Sequence, residues 1–201
     1  RVVSTSYGRT FTPLERRTSV PSLIFLPGGL VDPNAYVPLV RSIAAAGIPA
    51  SIVELPMRSA PTDSLREMLW TRIRSAHADL GRDRPVFVAG HSRGGMLAAE
   101  FAAEHPTEIA GLVLIGTTHP RERDLSRALW PVMKIQGSAD CVAPARDSRA
   151  NARRLPAGTH WVEIAGGNHR QFGYYGWQIG DCPAAISREQ LLARVAGKDA
   201  L

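Results

Sequence analysis

One segment constrains this chain more than any other: Val86-Phe87-Val88-Ala89-Gly90-His91-Ser92-Arg93-Gly94-Gly95-Met96-Leu97-Ala98-Ala99. A short apolar run passes through a glycine-flanked serine directly into an Ala-rich helical stretch. Gly90-His91-Ser92-Arg93-Gly94 fits the pattern G-x-S-x-G, which is common by chance but specific when a buried strand leads in and a helix leads out. A serine in that turn takes a strained backbone, and the glycines two positions away keep strand and helix from colliding. Its hydroxyl then stands at the carboxyl edge of a sheet, where the next amide, that of Arg93, can face a developing oxyanion. The competing reading is a glycine-rich turn with an idle serine. A phosphate cradle is weaker, because neither G-x-G-x-x-G nor a P-loop lysine is present.

The rest of the chain alternates in the same way. Strands are expected at Ser22–Pro27, Ala50–Leu55, Val86–Ala89, Gly111–Ile115, Val132–Gln136 and Trp161–Ile164. Helices are expected at Pro33–Ala46, Asp63–Leu80, Ser92–Glu104, Ala145–Leu155 and Ser187–Val195, the last opening with Ser187 and Gln190 at capping-box spacing. Alternating elements with uniformly apolar strands predict an α/β fold, a mostly parallel sheet covered by helices on both faces. With no composition shift, residues 1–201 read as a single domain. Residues 1–21 are polar and irregular, an N-terminal arm or an edge strand. Gly116–Pro131 is the one excursion long enough for a partial lid, and it is too short for a cap domain, so an open site is expected.

Composition excludes some function classes. The 201 residues carry a net charge of +6, but the arginines are dispersed among Asp and Glu. Pairs such as Arg16-Arg17 and Arg153-Arg154 lack interleaved aromatics, so nucleic-acid binding is not supported. No apolar run is long enough to span a bilayer. Cys141 and Cys182 fit no zinc spacing, and no metal site is expected. The chain begins with Arg rather than Met, compatible with a leader or anchor that this sequence would not reveal.

A serine nucleophile needs a base, and strand order sorts the candidates, because catalytic groups in an open parallel sheet gather at the carboxyl ends of strands. His169 follows Trp161–Ile164, whereas His160 precedes it. His91 is expected to pack behind Ser92. His77 and His105 belong to helices, and His119 lies in the excursion, where it could touch substrate. By the same argument Asp140 follows Val132–Gln136, with Asp124 as its rival, while Asp147 and Glu163 lie within elements. The order Ser92, Asp140, His169 is the α/β-hydrolase order. A second oxyanion donor is expected from Pro27-Gly28-Gly29-Leu30, as the amide of Gly29 or Leu30.

From Leu23 to Leu192 the chain resembles the small, capless bacterial α/β-hydrolases related to the dienelactone-hydrolase group. The resemblance is carried by Phe25-Leu26-Pro27-Gly28-Gly29-Leu30-Val31-Asp32 with Ala35-Tyr36, by the Ser92 turn, and by Gly137–Asp140. It continues through Gly166-Gly167-Asn168-His169-Arg170-Gln171-Phe172-Gly173-Tyr174-Tyr175-Gly176 and the ending Ile186-Ser187-Arg188-Glu189-Gln190. It implies an α/β-hydrolase fold without a cap, the triad Ser92, Asp140 and His169, and an oxyanion turn at Gly28-Gly29-Leu30. It supplies no natural substrate. The expectation is a serine carboxylesterase acting on a small or medium ester without metal or organic cofactor. Thioesterase or lactonase chemistry on the same residues, or an inactive binding protein, are the alternatives. Arg58, Arg93 and Arg170 near the catalytic edge suggest a substrate carrying negative charge.

The resemblance has glycine where this chain has Cys141 and Cys182. If His169 reaches Asp140, the two loops run close together, and a disulfide between these cysteines is expected. A bridge would point to a periplasmic or secreted protein, and free thiols to a cytoplasmic one. The oligomeric state is not legible.

Overall fold

The computed structural model describes residues 1–14 and 20–195. Its strands are β1 (Val2–Thr5), β2 (Gly8–Phe11), β3 (Ser22–Leu26), β4 (Ala50–Val53), β5 (Val86–His91), β6 (Gly111–Ile115), β7 (Val132–Gly137) and β8 (His160–Ile164). They form one eight-stranded sheet in the order β1-β2-β4-β3-β5-β6-β7-β8. Every pair from β4 across to β8 is parallel, and the β1–β2 and β2–β4 pairs are antiparallel. The N-terminal stretch is therefore an edge hairpin, and its arm between Leu14 and Val20 lies outside the described residues.

The five α-helices among the described residues are α1 (Val37–Ala45), α2 (Asp63–Gly81), α3 (Arg93–Glu104), α4 (Ala145–Ala150) and α5 (Arg188–Val195). Two of the expected helices are interrupted. Pro33–Tyr36 is a 3-10 turn before α1, and Ala152–Arg154 is a separate 3-10 turn after α4. The capping box before α5 is present: the Ser187 amide donates to Gln190 Oε1 at 2.9 Å, and the Gln190 amide to Ser187 Oγ at 3.2 Å.

Alternation along the strands divides the core into two layers. Ile24, Leu26, Val86, Val88, Leu112 and Leu114 pack against Leu69, Trp70 and Ile73 of α2 and Leu97 and Phe101 of α3. On the other face Phe25, Ala89, Ile115 and Ile135 meet Leu39 and Val40 of α1 and Leu191 of α5. Burying β3, β5 and β6 on both faces fixes their carboxyl ends as a rigid rim, and the loops that leave this rim build the candidate site.

The excursion Gly116–Pro131 does not stand off as a lid. The Lys134 ammonium, fully buried on β7, donates to the carbonyls of Thr117 and His119 at 2.6 Å each. Gln136 Nε2 also donates to the Thr117 carbonyl, and Asn151 Nδ2 to that of Thr118. Burial lowers the Lys134 pKa to about 7, while its two carbonyl partners favour the charged form. No helix among the described residues is long and apolar enough to cross a membrane.

Candidate active site

Ser92 joins β5 to α3 with φ 53° and ψ −116°, a left-handed conformation that non-glycine residues rarely adopt. Its amide donates to the Ile115 carbonyl at 2.9 Å, which ties the turn to the end of β6. A Cβ on Gly94 would collide with the carbonyl oxygens of Leu26 and Pro27. Only glycine lets α3 start this close to the end of β3.

His169 opens the 3-10 turn His169–Phe172 just after β8, and Asp140 lies just after β7. Their side chains are fully buried, with His169 Nδ1 2.8 Å from Asp140 Oδ2. The other carboxylate oxygen of Asp140 accepts the amides of Val142 at 3.0 Å and Ala143 at 2.7 Å. With the carboxylate an acceptor on every side, the ring proton belongs on Nδ1. Nε2 is then an acceptor, and among the described residues it is buried with no hydrogen-bond partner. Asp124, the rival acid, accepts the Ser126 amide within its own exposed turn at 2.9 Å and does not approach His169.

His91 is fully buried behind Ser92, its ring centroid 4.5 Å from that of His169. Tyr36 Oη accepts the Gly28 amide at 3.0 Å and lies 2.8 Å from His91 Nδ1. Burial pushes the Tyr36 hydroxyl far up, so it keeps its proton and donates it to His91. Burial, and secondarily His169, drives the His91 pKa well down. The imidazole packed at a tilt against His169 is thus neutral and does not oppose protonation of His169. Sequence reasoning placed His91 here but missed Tyr36, whose only signal was its position after the Gly28–Asp32 turn.

Gly29 packs closely against Arg93, for a Cβ on Gly29 would lie 3.1 Å from Arg93 Cβ and 3.3 Å from its Cγ. Neither amide has a hydrogen-bond partner among the described residues. The expectation for Leu30 requires correction. Its amide is spent on the Arg58 carbonyl at 2.8 Å, because Leu30 and Arg58 both take left-handed backbones, φ 59° and φ 55°, that turn the two loops toward each other.

Two of the three arginines are also engaged elsewhere. Arg58 pairs with Asp32 at 3.4 Å on the exposed surface. The Arg93 guanidinium donates to the carbonyls of Ser59 at 2.9 Å and Ala60 at 3.1 Å, clamping the loop after β4. The Arg170 side chain, half-buried beside His169, has no partner among the described residues. His119 lies with Arg93 and Arg121 around a cavity of about 290 Å³ beside α3. Burial, then Arg121, Lys134 and Arg93, lowers its pKa to about 4. His119 is therefore neutral near pH 7. Cys141 and Cys182 are bridged, with Cα atoms 5.3 Å apart.

Residues 22–193 match the alpha/beta hydrolase family. The chain belongs to that family. This hydrolase is similar in fold to an alpha-beta serine hydrolase homologue from Coxiella burnetii, with a TM-score of 0.70 and 15% identity over 100% of this chain and 96% of that one. Est1E from Butyrivibrio proteoclasticus gives a TM-score of 0.66 and 14% identity over 100% and 97% of the two chains. The carboxylesterase CesB from Bacillus subtilis gives 0.60 and 15% over 85% of each. At these identities the likeness speaks for the fold alone. No curated protein sequence matches the hydrolase.

Proposed function

We propose that the protein is a serine hydrolase that cleaves carboxylic esters through an acyl-enzyme on Ser92. The observation that carries this reading is the buried pair of His169 Nδ1 and Asp140 Oδ2, 2.8 Å apart, on the same sheet edge as a serine held at φ 53°. In this scheme His169 Nε2 takes the Ser92 proton as Oγ attacks the ester carbonyl. The amides of Gly29 and Arg93 receive the oxyanion. Asp140 holds the tautomer and stabilises the imidazolium, which then protonates the leaving alcohol. Water repeats the sequence to release the acid. The deciding experiment is fluorophosphonate labelling of wild type and Ser92→Ala. Labelling of wild type alone supports the reading, and equal labelling of both rejects it.

The site's surroundings suit a modest ester. A cavity of about 160 Å³ adjoins the oxyanion turn, its lining mixed, with Val31 and Leu55 beside Asp32, Asn34, Glu54 and Arg58. Leu30, Met57, Trp177 and Ile179 stand exposed on loops at the same rim. With Arg58 and Arg93 engaged, Arg170 is the arginine left to meet a carboxylate on the substrate. An ester bearing a carboxylate is expected to show a several-fold lower KM than its neutral analogue at low salt. The advantage should fade as salt screens it and vanish in Arg170→Gln. Equal KM values for the two esters at low salt would remove this role from Arg170.

A further inference from the structure

The Asp181 carboxylate sits under the turn that carries His169. Its Oδ1 accepts the amides of His169 at 3.2 Å and Cys182 at 3.0 Å, and its Oδ2 accepts the Arg170 amide at 3.0 Å. The first amides of a helical turn have no partner within the turn, and here one side chain takes both. The same limb is sewn on by Asn168 Nδ2, which donates to the Cys182 carbonyl at 2.6 Å.

The acid loop and the base loop also touch directly, through the Ala139 amide on the Gly167 carbonyl at 2.8 Å and the Gly166 amide on Ser138 Oγ at 2.9 Å. Those bonds hold the approach to the turn at residues 166–167. The amides of His169 and Arg170 are held by Asp181, which lies on a limb that leaves the turn through mostly exposed or half-buried residues and returns at Cys182. The return is held by the bridge to Cys141, the residue after Asp140, together with the Asn168 bond to the Cys182 carbonyl and, just beyond, the Ala185 amide on the Gly166 carbonyl at 2.8 Å.

We propose that Asp181 is a positioning residue for the base and that the Cys141–Cys182 bridge keeps it seated, making turnover sensitive to reduction while the fold survives. The inference rests on the hydrolase reading above. Cys141 is exposed, so a small dithiol can reach the bond. Two electrons and two protons pass from dithiothreitol to the bridge, yielding two thiols and the cyclic disulfide of the reagent.

The test measures p-nitrophenyl butyrate hydrolysis by the full chain, per site titrated with a fluorophosphonate. Asp181→Ala is expected to lower kcat about 100-fold with KM nearly unchanged, as for a misplaced catalytic group. Asp181→Asn keeps one acceptor but turns an NH2 toward the Arg170 amide, so it should restore part of the loss. Wild type that is reduced and alkylated should lose about 10-fold in kcat with its circular dichroism retained. If Asp181→Ala does not fold, Asp181→Asn and the reduced wild type carry the test. A per-site kcat within about twofold of wild type in folded Asp181→Ala or in the reduced wild type, or a loss seen only in KM, overturns the proposal. An active Ser92→Ala would instead bring down the hydrolase reading beneath it.

Discussion

Ser92→Ala and His169→Ala are each expected to abolish ester hydrolysis, with losses on the order of 10⁶ in kcat and a double variant scarcely worse than either single one. Removing Oγ leaves no nucleophile. Removing the imidazole leaves Oγ without a proton acceptor, because the nearest other ring, His91, is kept neutral and already receives the Tyr36 hydroxyl. The two losses overlap because they disable one concerted step. Folding should be little affected by Ser92→Ala, whose side chain has no hydrogen-bond partner among the described residues. His169→Ala opens a space in the packing between His91 and Asp140 and should melt somewhat lower. Steady-state rates and melting curves on the three variants check this. Near-normal turnover in His169→Ala would make the base assignment wrong.

Asp140→Asn should cost on the order of 10⁴ in turnover with the fold intact. Asparagine can keep its oxygen on the amides of Val142 and Ala143, which bind Asp140 Oδ1 at 3.0 and 2.7 Å. Its NH2 then faces His169 Nδ1. The ring must put its proton on Nε2, where it can no longer accept from Ser92. Asp124→Asn should do little, because Asp124 caps an exposed turn of its own. If the two variants exchanged these effects, the acid would have to come from the excursion after β6.

Much of this arrangement was legible because it follows from strand order. Ser92, Asp140 and His169 are each the residue type the chemistry needs, placed just past a strand whose apolar run could be read directly. What the sequence hid depends on backbone conformation and on partners distant in the chain. Leu30 looked as eligible as Gly29 for an oxyanion donor. Only the paired left-handed residues Leu30 and Arg58 reveal that its amide is spent. Lys134 read as an ordinary strand residue, since nothing local shows that its ammonium will meet the carbonyls of Thr117 and His119. That hold is also why the excursion lies down on the sheet. In the sequence Asp181 is simply the residue before Cys182, for its three amide partners become neighbours only when the limb folds back.

The φ of 53° at Ser92 makes the most reactive position in the chain one of its least comfortable. Holding a side chain there costs of order 1–3 kcal/mol, and Ser92→Gly would release that cost. Part of the gain, roughly 0.5–1 kcal/mol, is returned through the greater freedom of glycine in the unfolded chain. Ser92→Gly should therefore melt about 2–4 °C above wild type and above Ser92→Ala, while being inert. A lower melting point for Ser92→Gly would show that the turn stores no strain. With the expected result, heat tolerance and chemistry pull this position in opposite directions. A library of variants screened for survival on heating alone would drift toward inactive molecules, and the working sequence is a compromise that any stabilisation effort must hold fixed by assaying turnover in the same round.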